Sequence, residues 1–310
     1  MSGGRDRPRL LVSGASGFVG GAVMRRARAA GLTVAACGRR SREGAIRAVD
    51  PLDPAALAEE VRRTESDMVV HAAGVTPGPG PRDMGVNVAL TRSWIAALKM
   101  LPSPPRLTLV GSAAIYGRGA VSDRATREND PMLPDGAYGV SKLSALELGR
   151  EAHDRHGLDV QTGILFNLLG QGQPDHMVPQ AFIAAAFRQS DTGPVRVGPV
   201  EAVRDFCDID DAADALVAMA RHGPAGAILN VATGRATRIA DLLDRIAARL
   251  PMPWISDAPG AGGVPVCYGD PAKLHEATGW VPRHDLDAGI ARAIDAARAR
   301  APLPEARTIP

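Results

Sequence analysis

The feature that most constrains the fold is a glycine triplet, Gly14, Gly17 and Gly20, lying near the start of the chain between an apolar run and a helical pattern. Residues 9–13 read as a short buried strand and 21–30 as a helix stopped by Gly31. Glycines at this spacing let the backbone turn sharply from strand to helix and let an anion approach the main chain at the helix N-terminus. A triplet alone is equally a plain strand-to-helix turn. The chain that follows narrows the choice. Residues 33–37, 68–72, 107–110 and 160–165 read as strands, with 57–63, 87–99 and 138–153 as helices between them. This alternation predicts an α/β fold, a doubly wound parallel sheet with helices on both faces. In that setting Gly14, Ser16, Gly17, Phe18, Val19 and Gly20 become candidate contacts to a dinucleotide pyrophosphate.

After Asn167 the rhythm changes. Residues 170–174 are turn-rich, 178–188 helical and 195–197 a short strand. Residues 204–220 run from strand into helix, 228–232 form a strand, and 239–250 and 286–299 form helices around a Pro/Gly-rich 251–265. The expected organisation is a Rossmann dinucleotide-binding domain over 1–167, joined by part of 200–232, and a smaller, mainly substrate-binding α/β lobe over 168–310. The tail 301–310 is expected to fray.

Bulk properties exclude several classes. Thirty-six basic residues against 34 acidic ones leave a formal charge of +2, too balanced for a nucleic-acid or membrane-surface partner. The polar start has no apolar secretory core, and no apolar run is long enough to span a bilayer. Three scattered cysteines, Cys37, Cys207 and Cys267, suggest neither a disulfide framework nor a zinc site. A cytoplasmic location is expected.

The chemistry is carried by Tyr138 and Lys142, four residues apart and therefore on one face of the predicted helix. A lysine ammonium there favours the phenolate and is expected to lower the tyrosine pKa, so that the phenol can trade a proton near neutral pH. Lysine is scarce, found only at 99, 142 and 273, which makes the pairing more informative. Ser112, in a glycine-flanked turn upstream, could hydrogen-bond an oxygen that changes between carbonyl and alcohol. The second strand ends in Cys37-Gly38-Arg39-Arg40, with no acid to accept ribose hydroxyls. Two guanidinium forks match a phosphate, favouring NADP(H) over NAD(H); the alternative is a solvated charged turn. Asp50 is placed to accept from an adenine amino group or to cap a helix. The acidic run Asp205, Asp208, Asp210, Asp211 and Asp214 could suggest a metal, but capping and solvation before the 212–220 helix account for it, and no metal is expected. His71 ends an apolar strand and reads as structural.

With these residues in place, the chain resembles the extended short-chain dehydrogenase/reductase family, the NAD(P)-dependent nucleotide-sugar epimerases, dehydratases and reductases. GASGFVG resembles its glycine motif, VVHAAG its HxAA strand end, NVALTRSWIAAL its Asn-led helix, VGSAAIYG its catalytic Ser/Thr strand and AYGVSK its YxxxK motif. LFNLLGQGQ, VRDFCDIDDAADAL and LNVATGRATRI resemble its substrate-lobe segments. The resemblance implies that Tyr138 is the acid/base, that Lys142 tunes it and holds the nicotinamide ribose, and that Ser112 holds the reacting oxygen. It adds Ala72, Ala73 and Gly74 to the cofactor contacts and Ala113, Asn167, His176 and Arg204 to the substrate contacts. Asn167 and Arg204 would lie near the substrate diphosphate. For Arg204 an ion pair with Asp205 or Asp208 is the alternative, and for His176 an ordinary loop histidine.

Differences within the family narrow the activity. Ala113 and Ala114 stand where 4,6-dehydratases carry proton-transferring side chains, and Ala114 also stands where epimerase-reductases of the GDP-fucose synthase type carry a cysteine. Recycling 4-epimerases hold NAD, against the Arg39-Arg40 signal. The segments 166–173 and 197–206 look most like those of NDP-4-keto-6-deoxysugar 4-reductases such as GDP-4-keto-6-deoxymannose reductase. The resemblance therefore implies NADPH-dependent reduction of a nucleotide-sugar C4 ketone, by a homodimer paired through helices 87–99 and 138–153. A 4-epimerase, a reductase of a non-sugar carbonyl and a non-catalytic dinucleotide sensor are the alternatives. The chain departs from the family at Ile164 and Ala137, and the arginine missing from 264–269 leaves the nucleotide base open between thymine and guanine.

Overall fold

The computed structural model describes residues 7–41, 46–77, 83–188, 194–250, 253–256 and 264–300. The first six residues, most of the Pro/Gly-rich 251–265 and the tail 301–310 lie outside them.

The first half alternates strand and helix: β1 (Arg9–Ser13), α1 (Phe18–Ala29), β2 (Thr33–Gly38), β3 (Arg47–Ala48), α2 (Pro54–Thr64), β4 (Met68–His71), α3 (Gly85–Lys99), β5 (Arg106–Ser112), α4 (Gly136–His156) and β6 (Val160–Leu165). The second half holds β7 (Asn167–Leu169), α5 (Gln180–Arg188), β8 (Val195–Val197), β9 (Val203–Arg204), β10 (Phe206–Asp208), α6 (Ile209–His222) and β11 (Ile228–Val231). It closes with β12 (Thr237–Arg238), α7 (Ile239–Ala247), β13 (Trp254–Ser256), β14 (Val266–Cys267), α8 (Ala272–Thr278) and α9 (Leu286–Arg300).

Seven strands form one parallel sheet in the order β11-β6-β5-β4-β1-β2-β3. Burial on both faces explains the unbroken apolar runs: Leu10, Leu11, Val12, Val69 and Val70 are fully buried, and every residue of β6 is buried. Strand order reverses at β1, so the crevice over the carboxyl ends of β1 and β4 is the expected ligand position for such a sheet. The chain returns to this sheet through β11, which pairs with β6, and through α6, whose Ala212, Ala213 and Ala215 share a core with Ala22, Val23 and Ala27 of α1. Alanines let the two helices approach closely, and Arg26 clamps them with two bonds to Asp214, 2.7 and 2.8 Å.

A second core lies under α5, α7 and α9, built on Ile183, Phe206, Leu243, Ile246, Ile290 and Ile294. Small sheets pair β7 with β10, β8 with β13, and β9 with both β12 and β14. β7 leaves β6 directly, so the lobe begins beside the carboxyl edge of the main sheet.

The acidic run is consumed by protein partners. Asp205 accepts from Thr233 N, Thr233 Oγ1 and Gly234 N at 2.8–2.9 Å, and Asp208 caps α6 through Asp210 N at 2.8 Å. Asp210 pairs with Arg25 and Arg292. Asp211 accepts from Arg283 N, His284 N and His284 Nδ1 at 2.8–2.9 Å. These carboxylates hold α1, α9 and the 283–284 turn against the start of α6.

Candidate active site

The β1–α1 turn shows why each glycine is needed. Gly14 has φ +79°, and a Cβ on it would sit 2.4 Å from Ala73 N, where the end of β4 passes. A Cβ on Gly20 would lie 2.3 Å from Gly14 O, so the helix could not seat against the turn. On Gly17 it would meet only Gly14 O, at 3.3 Å, so this side is open. Gly17 caps α1 without a side chain, and the first turn carries no acid. The helix therefore presents uncompensated N–H groups and the positive end of its dipole beside exposed Ser16 and Gly17. Phe18 and Val19 are half-buried against the first core. Ala72 continues the β1–β4 ladder with its N–H on Ser13 O at 2.9 Å, and Ala73 and Gly74 follow it along the crevice rim.

Arg39 and Arg40 stand exposed just past the end of β2, and no described carboxylate pairs with either. Asp50 does not cap a helix. Its Oδ1 takes Leu52 N at 2.9 Å in a local turn, and Asp53 caps α2 through Ala55 N and Ala56 N. Two residues of turn geometry decide between them.

Ser112 ends β5 and opens a short 3-10 turn over Ala113–Ile115, its Oγ accepting from Ala114 N at 3.3 Å. Tyr138 lies in the first turn of α4, with the Ser112 side chain close enough to act on its phenol. The two meet because Gly139 has no side chain: a Cβ there would lie 2.5 Å from Ala114 O. Lys142, one helical turn on, donates to Val110 O at 2.9 Å. Its surroundings are laced by Asn87, which accepts from Val75 N at 2.7 Å and donates to Val75 O and Ser141 Oγ at 3.0 Å. Sequence reasoning placed Asn87 only as a helix start; the serine inside AYGVSK was the signal for its partner.

The electrostatics correct one expectation. Burial pushes the Tyr138 phenol above its usual range, and the opposing pull comes from the Ser112 hydrogen bond. Burial also lowers Lys142 to about 8, because desolvation penalises its ammonium. The lysine's spacing puts it on the tyrosine's face, but its head is tied to a strand carbonyl. His71 is fully enclosed and lowered to about 3, a neutral ring beside Ser13 and Trp94.

Of the residues expected to contact a substrate, Ala113 is buried. Leu165 is in register with Ser112, so Asn167, two residues further, opens β7 at the same edge, its N–H on Asp205 O at 3.1 Å. Arg204 is half-buried. It donates to Val203 O at 2.8 Å and Pro265 O at 3.4 Å rather than to Asp205 or Asp208, and burial lowers its guanidinium. His176 sits exposed between β7 and α5 with no hydrogen bond to the described residues, so nothing in the fold ties it to Ser112 or Tyr138.

The family model described as "NAD dependent epimerase/dehydratase family" matches residues 10–232, which span the turn, the Ser112–Tyr138 pair and β11. The chain belongs to the NAD dependent epimerase/dehydratase family. Among similar proteins, dTDP-6-deoxy-L-talose 4-dehydrogenase (NAD(P)(+)) of Kitasatospora kifunensis is 31% identical over 95% of this chain and 97% of its own. GDP-6-deoxy-D-mannose reductase of Pseudomonas aeruginosa is 30% identical over 88% and 92%. The structure of RMD from Pseudomonas aeruginosa complexed with NADPH superposes with a TM-score of 0.80 at 28% identity, over 95% of this chain and all of that one. For a member of the NAD dependent epimerase/dehydratase family, the open Gly17 side and the uncapped α1 N-terminus fit a dinucleotide pyrophosphate. Among the described residues no helix is long and apolar enough to cross a membrane.

Proposed function

We propose that the protein reduces the C4 ketone of a nucleotide-activated 4-keto-6-deoxysugar, GDP- or dTDP-linked, with NADPH. One observation carries this reading. Ser112 and Tyr138 come together where β5 ends in Ala113 and Ala114, neither of which can move a proton. These two positions therefore offer no acid or base for a second carbon. The two relatives above bear the names of redox enzymes of nucleotide 6-deoxysugars, one with dTDP and one with GDP. When bound, the nicotinamide supplies the hydride. Tyr138 would protonate the C4 oxygen, Ser112 would hold that oxygen, and Lys142 would hold the nicotinamide ribose. Arg39 and Arg40 would take the 2′-phosphate of NADPH and Asp50 the adenine amino group. Asn167 and Arg204 face the diphosphate, and His176 a sugar hydroxyl.

The test is NADPH oxidation with GDP-4-keto-6-deoxymannose and with dTDP-4-keto-6-deoxyglucose, each against an NADH control. Rapid oxidation with one of them supports a 4-ketoreductase and names the base. Sugar interconversion without net oxidation would replace it by a 4-epimerase, and bound cofactor without turnover by a sensor.

A pH dependence follows from the two shifts. Reduction uses the protonated phenol, which burial keeps protonated through neutrality, and the Lys142 ammonium, which is lost as pH rises through about 8. The reductive kcat should be level below neutrality and fall across that range. A rate that stays flat well above pH 8 would remove Lys142 from the mechanism.

A homodimer paired through α3 and α4 belongs to the same reading. The groove between these helices carries Val88, Leu143 and Leu148 among Arg92, Glu147 and Glu151, a face of both charge signs suited to a second copy. A monomer mass in sedimentation would sink it. Three buried, unpaired cysteines suit the reducing cytoplasm.

A further inference from the structure

We propose that Tyr116 and Asn230 are positioning residues that hold the Ser112 and Tyr138 side chains in place relative to one another; the inference rests on the Ser112–Tyr138 pair proposed above as the reacting set. Tyr116 is fully buried and so touches neither substrate nor cofactor. Its backbone, however, joins the two halves of the pair. Tyr116 N donates to Ala113 O at 3.0 Å, closing the turn that Ser112 opens. Tyr116 O accepts from Leu133 N at 3.1 Å and from Gly119 N at 2.7 Å, and Arg118 N returns to Leu133 O at 2.9 Å. Leu133 lies five residues before Tyr138. The long excursion between Ser112 and Tyr138 is thus gathered at one residue.

That residue is held from the main sheet. The Tyr116 hydroxyl donates to Asn230 Oδ1 at 2.7 Å, and Asn230 Nδ2 donates to Thr126 O at 2.9 Å. A carbonyl only accepts, so the Thr126 contact fixes which way the amide points and leaves Oδ1 to the phenol. Asn230 N also donates to Glu128 Oε1 at 2.7 Å, tying a second point of the same excursion. Asn230 belongs to β11, in register with Ile164 of β6, so the anchor is a strand of the seven-stranded sheet. Burial holds the Tyr116 phenol far above its usual range, which keeps it a donor throughout the working pH. Its ring stacks on Phe166, centroids 6.1 Å apart, one residue before Asn167. An unpaired hydroxyl at this depth is costly, so the polar tip sets how deep the ring sits and where its backbone lies.

The experiment is Tyr116→Phe in the full chain with NADPH bound. It removes one oxygen and keeps the ring. The chain has three tyrosines, Tyr116, Tyr138 and Tyr268, so ¹³Cζ-tyrosine labelling gives three resonances, with Tyr138 assigned by its loss in Tyr138→Phe. The expected result is a Tyr138 resonance moved from its wild-type position, kcat lowered about 10- to 100-fold as for a small misplacement of reacting groups, and an unchanged KM for NADPH. A Tyr138 resonance at the wild-type position, whatever happens to rate or melting temperature, would overturn the proposal and leave Tyr116 a core residue. If the variant does not fold, Asn230→Ala, which withdraws the acceptor and keeps the tyrosine, reads the same resonance. Turnover surviving in Tyr138→Phe would instead defeat the catalytic reading, while the resonance still reports on positioning.

Discussion

Tyr138→Phe is expected to lower kcat for ketone reduction about 10²- to 10⁴-fold, the range that one positioned general acid contributes, with dinucleotide affinity unchanged. The substitution removes the hydroxyl beside Ser112 and leaves the ring in the first turn of α4. Ser112 would still hold the oxygen, so a residual rate should persist, with water supplying the proton. Ala113 and Ala114 supply no substitute acid. The measurement is steady-state NADPH oxidation beside fluorescence titration of bound NADPH. Turnover within a few-fold of wild type would mean that the proton comes from elsewhere.

The second large effect concerns the choice of dinucleotide. Arg39→Ala with Arg40→Ala should reduce kcat/KM for NADPH about 10- to 100-fold, the loss expected for charge-assisted contacts to one phosphate, and leave kcat/KM for NADH nearly as it was. Both guanidinium groups lie exposed past the end of β2 without a described carboxylate partner, so their removal leaves no buried group stranded and should not disturb the fold. Salt should weaken NADPH binding in the wild type more than in the double variant, because exposed charge contacts are screened. Equal losses with both dinucleotides would mean that the pair shapes the turn rather than reading the phosphate.

The main sheet was legible because its strands are buried on both faces and read as unbroken apolar runs: the expected 9–13 and 160–165 are β1 and β6 residue for residue. Helix α8 was missed. Seven residues with only Leu274 buried give too little periodicity to register. The helix expected over 178–188 begins at Gln180, and the one expected over 239–250 ends at Ala247. At the site, spacing alone placed Tyr138 and Lys142 on one helical face. It did not reveal that burial raises the phenol and lowers the ammonium, since desolvation depends on what covers a group. Asn87 and Asn230 passed as ordinary helix and strand residues because Asn87's side-chain partner Ser141 lies 54 positions away and Asn230's partners Tyr116 and Thr126 lie more than 100.

By itself the sequence determined what local rules govern: the glycine turn, the strand–helix alternation, the family motifs, and a β2 end with two arginines and no acid. Only the tertiary structure decided which groups meet. It brought Ser112 to Tyr138 through the close seat of Gly139 on Ala114, sent Lys142 to Val110 O, and assigned Asp53 rather than Asp50 to the helix cap. It also gave Asp205 to Thr233 and Gly234, and the rest of the acidic run chiefly to Arg25, Arg26, His284 and Arg292. Periodicity and turn chemistry act over a few residues and leave their mark on composition. Burial and long-range hydrogen bonds depend on which distant segments the sheet order places side by side, and no local pattern records that.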